Sequence, residues 1–265
     1  MEKPIPLKTS LEVSYIRRAC RLAETTLRAL EPLLRPGIRT LDINRFCEKA
    51  IHSRGGRALK GYQGFPASVC TSVNQVACHG LPSSYVLQEG DLITVDISTE
   101  LDGWCGDAAW TYRLGRGDSD ARRLVKAAWQ ATLAGIAAAR AGNRLGDVGW
   151  AIGRIAARYG CGVFENFAGH GIGQAIHEEP LVLPLGEPDT GRPIVPGMVF
   201  TVEPILTLGA PRSKVLGDGW SMVSEDGSLC AQFEHTLAVF SRRTEVLTLP
   251  AGEQEAILSL ETPPF

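Results

Sequence analysis

The segment DLITVDISTELDGWCGDAAWTYR, residues 91–113, reads as two strands joined by a turn. In the first strand Ile93, Val95 and Ile97 point one way, and Leu92, Thr94, Asp96 and Ser98 point the other. The turn-like LDGWCG follows, and Asp107 opens a second strand that runs to Arg113. A carboxylate in the middle of an apolar strand is costly to bury unless it is paired or binds a cation. The second half of the chain repeats the anomaly. MVFTVEPIL, residues 198–206, carries Glu203, and CAQFEHTLAVF, residues 230–240, carries Glu234. Glu234 shares a strand face with Gln232 and Thr236, while Phe233 and Leu237 face the opposite side.

Taken singly, each acid is explained by an edge position or an arginine partner. Together they raise an electrostatic question. Two like charges ~4 Å apart repel by about 4 kcal/mol at an effective dielectric near 20. Four converging carboxylates make six such pairs, so they would need protons or cations among them. Strand spacing alone does not establish convergence; the paired contexts in both halves motivate it. Carboxylates joined by an imidazole suit Mn, Fe or Co. Two ions sharing carboxylates would form a hydrolytic centre that acidifies a water and polarises a carbonyl.

The surrounding pattern is helix-helix-strands, and it occurs twice. Thr9 and Glu12 have capping-box spacing, and Ile16, Ala19, Ala23, Leu27, Leu30 and Leu34 follow at helical intervals until Arg35-Pro36-Gly37. A second helix is predicted over Leu41–His52, then strands over Ser68–Asn74, 91–99 and 107–113. Asp118–Ala141 and Leu145–Tyr159 read as helices. Strands are predicted over Val163–Phe167, Met198–Ile205, Leu229–Phe240 and Glu245–Leu249. This order predicts one α+β domain of two related halves, with helices covering a curved, mainly antiparallel sheet. Only the ends, about Met1–Lys8 and Gly252–Phe265, look loosely attached.

Composition narrows the function classes. The 265 residues carry a net charge of -2, which gives no support for broad nucleic-acid or anionic-membrane binding. No window approaches the ~18 apolar residues of a membrane span, and no export signal is evident, so a soluble cytoplasmic protein is expected. Seven scattered cysteines with no CxxC pair argue against a zinc ribbon and for free thiols in a reducing compartment.

Two of the five histidines fall in FAGHGIGQAIHEEP, residues 167–180. HEEPL is not the HExxH zinc motif, because Leu181 stands where the second histidine is required. Gly169, Gly171, Gly173 and Pro180 oppose a regular helix, and the glycines permit close backbone approach around His170. On local grounds a turn with two surface histidines explains the stretch equally well.

Together, FAGHGIGQAIHEEP, VDIS with GDAAWTY, MVFTVEPIL and CAQFEHTLAVF resemble the methionine aminopeptidases, type I in particular. The resemblance spans about Leu11–Leu249. It implies the "pita-bread" fold of two pseudo-symmetric halves, in a single catalytic domain over 1–265 with a core of about 9–249. It further implies that Asp96, Asp107, His170, Glu203 and Glu234 ligate two divalent ions (Co, Mn or Fe, with Zn or Ni as options), Asp107 and Glu234 bridging them. His79 would assist at the substrate amine. His177 would bind the scissile carbonyl, and Glu203 would also transfer protons. Tyr62, Phe65, Cys70 and Trp220 resemble the lining of a methionine side-chain pocket. His235 points away from the face of Glu234 and reads as structural. The implied substrates are N-terminal methionyl peptides and nascent chains, including those at the ribosome, and a monomer is expected.

Only 25 residues separate His177 from Glu203, which fits type I because type II enzymes carry a long insertion there. The absence of an N-terminal zinc-binding extension fits a bacterial-style enzyme. Departures from the family pattern are Cys105 and Ala108, where many type I members read HGDT, Ile176 in place of a common phenylalanine, and Gln63 in place of a common histidine. The missing hydroxyl at Ala108 is expected to remove a hydrogen bond beside Asp107, and Ile176 to alter the pocket. Competing expectations are an Xaa-Pro aminopeptidase or prolidase of the same fold, and a non-catalytic binding protein that keeps it.

Overall fold

The first helix begins where the Thr9–Glu12 spacing places it. Thr9 Oγ1 accepts from the Glu12 amide at 3.3 Å, and the Thr9 amide donates to Glu12 Oε2 at 2.7 Å. The computed structural model describes residues 3–115 and 117–264. Its first half runs α1 (Ser10–Leu30), α2 (Thr40–His52), β1 (Arg57–Ala58), β2 (Cys70–Val73), β3 (Val76–Cys78), β4 (Leu92–Leu101) and β5 (Trp104–Arg113). The second runs α3 (Ser119–Ala138), α4 (Leu145–Arg158), β6 (Gly162–Val163), β7 (Gly169–Gly171), β8 (Glu178–Val182), β9 (Val199–Val202) and β10 (Ile205–Thr207). It continues through β11 (Ser213–Val215), β12 (Met222–Ser224), β13 (Cys230–Gln232), β14 (Glu234–Val239), β15 (Thr244–Val246) and α5 (Gln254–Leu258).

Among the described residues every strand ladder is antiparallel. The large sheet has the order β1-β4-β5-β14-β9-β7-β8, with β2 on β4 and β15 on β14. The two halves of the sequence meet inside this sheet, at the β5–β14 ladder. Two three-stranded sheets, β13-β10-β6 and β11-β12-β3, complete it. No helix among the described residues is long and apolar enough to cross a membrane.

Each half pins one helix to the sheet through a buried threonine. Thr99 Oγ1 donates to the Ala19 carbonyl of α1 at 2.9 Å, and Thr132 Oγ1 on α3 donates to the Phe233 carbonyl at 3.0 Å. Ile93, Val95 and Ile97 enter one apolar core with Trp110, Trp129, Phe200 and Phe233. The helix α1 crosses β5 at Gly106, where an added Cβ would lie 2.2 Å from the Cys20 amide nitrogen and 2.3 Å from the Ala19 carbonyl carbon. Backbone cannot yield as a side-chain tip does. Gly106→Ala is therefore expected to cost about 1–3 kcal/mol, a Tm drop of roughly 5 °C. A thermal melt within 1 °C of the parent would show that α1 has room to shift.

Four sequence expectations change. Met198–Ile205 is not one strand: it breaks at Glu203-Pro204, where β9 in the large sheet gives way to β10 in a small one. Proline has no amide hydrogen to continue a ladder. Leu229–Phe240 likewise breaks at Phe233, between β13 and β14, and Val163–Phe167 is strand only over β6. The tails are docked, not loose. The Lys8 amide donates to the Gly197 carbonyl at 2.7 Å, Trp129 Nε1 donates to the Leu260 carbonyl at 3.0 Å, and Ile257 is buried. Met1, Glu2 and Phe265 of those tails lie outside the described residues.

Candidate metal centre and cleft

Directly opposed residues in a ladder share a face. Asp96 stands opposite Ala109, Ser98 opposite Asp107, and Glu234 opposite Ala109. Three neighbouring strands therefore present Asp96, Asp107 and Glu234 on one face, the face turned away from Ile93, Val95 and Ile97. Glu203 lies one step beyond the last β9–β14 pair, His235 opposite Val202, and so arrives beside Glu234. The strand β7 brings in His170 from the other side of β9.

The donors are held in place by their neighbours. The His170 amide donates to Thr201 Oγ1 at 2.9 Å, and that hydroxyl donates to Glu203 Oε1 at 2.6 Å. Ser98 Oγ donates to Asp107 Oδ1 at 3.1 Å, and Gln232 Nε2 lies 3.4 Å from Glu203 Oε2. His170 Nδ1 is 3.0 Å from the Gly171 carbonyl oxygen, an acceptor only, so Nδ1 carries the hydrogen. That leaves a lone pair on Nε2, which sits 3.7 Å from Asp107 Oδ2 and 3.5 Å from Glu203 Oε1.

Burial dominates the protonation of the group. It pushes Asp96 up to about 6 and Glu203 up to about 8, and it raises Asp107 and Glu234 well above the carboxylate range. Hydrogen bonds from Cys70 and Asp107 moderate the rise at Asp96, and the Thr201 hydroxyl does so at Glu203. Neighbouring carboxylates add to the rise at Asp107 and Glu234. Burial also lowers His170 to about 4, which keeps the imidazole neutral.

These residues fit a divalent cation. Donor atoms of Asp107, His170 and Glu234 all lie within 4.8 Å of one another. Glu234 Oε1 is buried and has no hydrogen-bond partner in the protein. A buried carboxylate oxygen with no donor facing it is expensive, and a metal ion supplies the missing charge. Asp96 and Glu203 flank this triad; neither belongs to its tightest cluster.

The donors floor a cleft of about 450 Å³ that is also lined by His79, His177, Tyr62, Phe65, Cys70 and Trp220. All the site residues expected from the sequence thus come to one cavity. The His177 ring stands 4.3 Å from that of His170, and His177 Nδ1 is 2.9 Å from the Tyr62 hydroxyl. Phe65 meets Trp220 edge to face at 5.3 Å. His79 has a left-handed backbone, φ +53°, that non-glycine residues seldom adopt.

Comparison with known proteins gives the same answer over nearly the whole chain. The model of metallopeptidase family M24 matches residues 14–240. A methionine aminopeptidase A of Synechocystis is 41% identical over 251 residues, 94% of this chain and 99% of the relative. A methionine aminopeptidase of Clostridium acetobutylicum is 39% identical over 247 residues, 92% of this chain and 99% of the relative. The crystal structure of a methionine aminopeptidase from Rickettsia prowazekii superposes with a TM-score of 0.91 at 36% identity, covering 93% of this chain and all of that one. The chain belongs to the methionine aminopeptidases of family M24. Membership makes it a metal-dependent hydrolase, of the bacterial type I branch, and the curled antiparallel sheet with its covering helices is the pita-bread fold.

Within this methionine aminopeptidase, the departures from the family pattern fall in unexpected places. Ala108 is opposed to Ile97 and His235, so it faces the apolar core and not the metal side. A hydroxyl there would not reach Asp107, which takes its hydrogen bond from Ser98 instead. It would face His235, whose Nε2 is buried without a partner while Nδ1 meets Thr248 Oγ1 at 2.8 Å. His235 is structural, as its strand parity indicated. Cys105 and Ile176 belong to one buried apolar cluster, and Ile176 also borders the cleft. The glycines around His170 allow the close backbone approach expected of them, and it is between strands. A Cβ at Gly169 would come 2.4 Å from the Thr201 carbonyl oxygen, and one at Gly171 would come 2.0 Å from that of Glu179. They let β7 fit between β8 and β9; the chain there is a strand. Thr201 was overlooked in the sequence. Its alternation with Glu203 on one strand face was the available signal.

Proposed function

We propose that Asp96, Asp107, His170, Glu203 and Glu234 would hold two divalent ions, Co, Mn or Fe with Zn or Ni as alternatives. The enzyme removes the N-terminal methionine from peptides whose second residue is small. Bound metal would supply Lewis-acid polarisation of the carbonyl and a water that is acidic at neutral pH. The side chains do the rest. Glu203, a carboxylate once a cation replaces its proton and held at Oε1 by the Thr201 hydroxyl, would take up a proton from that water and return it to the leaving amine. The Tyr62 hydroxyl donates to His177 Nδ1, which leaves hydrogen on Nε2 to donate to the scissile carbonyl oxygen. Desolvation lowers His79 below its ordinary value, so it stays neutral and accepts from the substrate ammonium. Tyr62, Phe65, Cys70 and Trp220 receive the methionine side chain. The whole chain acts as one catalytic domain, a cytoplasmic monomer whose substrates include nascent chains at the ribosome. The activity uses no nucleic-acid or membrane surface.

The observation that supports this most directly is the unpartnered Glu234 Oε1 within reach of Asp107 and His170. The test is methionine release by protein loaded with Co²⁺ or Mn²⁺. Met-Ala-Ser is expected to be cleaved, Ala-Pro is not, and a chelator stops the reaction. Cleavage of Ala-Pro alone would assign the protein to the proline-specific peptidases, and no metal uptake at all would make it a binding protein. His177→Ala is expected to lower the rate by about 10²–10³-fold with metal content kept. Loss of metal in that variant would mean that the two histidine roles are reversed.

A further inference from the structure

The cleft continues past His170. Its far side is bounded by β8, the last strand of the large sheet. Leu181 is the ladder partner of His170, so the two side chains stand on the same face. Alternation puts Leu183 on that face as well, while Pro180, Val182 and Pro184 turn inward and are buried. The two leucines are 59% and 51% exposed. Edge strands commonly carry charges that discourage pairing, and an apolar pair at the rim of a cleft marks a place where something binds. Beyond them lies a second hollow of about 320 Å³, lined by Leu145, Leu185, Thr190, Gly146 and Gly186, with the Arg192–Glu179 ion pair on its border. Those glycines let two backbone segments pack closely at its base: a Cβ at Gly186 would lie 2.7 Å from the Gly146 carbonyl oxygen. Leu181 and Leu183 line both the cleft and the hollow, so the two depressions form one trough.

We propose that this trough carries the substrate chain away from the scissile bond and forms an apolar subsite for a side chain about four residues downstream. The proposal rests on the aminopeptidase activity of the cleft. Continuity with that cleft selects the occupant, since a peptide held at His170 must leave across some part of the rim. Length sets the register. From Leu181 to Leu185 is about 13 Å at ~3.3 Å per residue, and an extended peptide covers that distance in about the same number of residues. Cleavage occurs between the first and second substrate residues at the His170 end. The side chain over Leu185 and the hollow, which Leu181 and Leu183 also line, is therefore that of the fifth residue, within one position.

The experiment uses the metal-loaded full chain and heptapeptides that begin Met-Ala-Ser and continue with serines, with one leucine walked through positions four to six. The expected result is a maximum in kcat/KM of about tenfold over the all-serine peptide, the factor given by about 1.4 kcal/mol, which is the scale of burying most of one leucine side chain. In the double variant Leu181→Ser, Leu183→Ser the ratio between the two peptides falls below about twofold. Because each ratio is taken within one enzyme preparation, partial misfolding cannot mimic the loss. A flat leucine walk with methionine still released overturns the subsite and leaves the aminopeptidase standing. No release from any peptide overturns both. A ratio that survives in the double variant removes the leucines from the subsite. A flat walk together with concentration-dependent dimerisation that the double variant abolishes would assign the leucines to a second copy of the chain instead.

Discussion

Exchange of His170 for alanine is expected to lower methionine release by about 10³-fold or more and to strip metal from the protein. The expected loss exceeds the 10–100-fold typical of residues that only orient a ligand. His170 is the one nitrogen donor among the proposed ligands, and its Nδ1 bond to the Gly171 carbonyl directs the Nε2 lone pair between Asp107 and Glu203. No neighbour can replace it. His177 is close, at 4.3 Å between rings, but its Nδ1 is engaged with Tyr62. Equilibrium dialysis against Mn²⁺ and a peptide assay on the same sample check this. Full metal content with a rate within tenfold of the parent would remove His170 from the ligand set.

The metal-stripped protein is expected to become less stable as pH rises from 6.5 to 8, by several kcal/mol in total, while the metal-loaded protein does not. The ordinary values of the acids, 3.8 for Asp and 4.5 for Glu, apply when the chain is unfolded. In the fold Glu203 rises to about 8, and Asp107 and Glu234 rise well above their ordinary values. The folded state therefore holds protons that the unfolded state has released. Each such group lowers stability by at most about 1.36 kcal/mol per pH unit, and by less once the pH nears its folded value. Below pH 6.5 the histidines oppose the trend. His170 and His235 have folded values of about 4 and about 3, so they contribute stability that is lost as pH falls. Above 6.5 the acids outweigh what is left of the histidine titration. A bound cation replaces the protons and flattens the curve. Urea unfolding at both pH values, with and without chelator, measures the difference. Rising stability of the stripped protein across that interval would mean that the carboxylates do not share one buried site.

The helices were legible because their signals are local: the Thr9–Glu12 box and the apolar period that follows it depend on nothing distant. The acids were legible because strand parity, once the strands were found, put Asp96 opposite in sense to Ile93, Val95 and Ile97. What parity could not show is where a strand stops. Pro204 and Phe233 interrupt segments whose hydrophobicity runs on, because the chain there leaves one sheet for another, and that is a property of tertiary packing. The strand β7 was invisible for the opposite reason. With glycine on both sides of His170 there is no alternation to read, and the need for glycine comes from backbone atoms of Thr201 and Glu179. Ala108 misled in the same way. Adjacent to Asp107 in sequence, it faces the other side of the sheet, and only the pairing with His235 reveals what its missing hydroxyl leaves unsatisfied.

The β5–β14 ladder has a consequence for synthesis. Asp96 and Asp107 come from one side of that seam, and His170, Glu203 and Glu234 come from the other. A polypeptide severed between β5 and α3 would yield two fragments, neither with a complete donor set. Their reassociation would have to rebuild the seam before any metal could be gripped. On the proposed ligand set the enzyme is in effect a two-part lock whose halves are translated in succession, and it would stay inert until the strand bearing Glu234 had left the ribosome and closed against its partner.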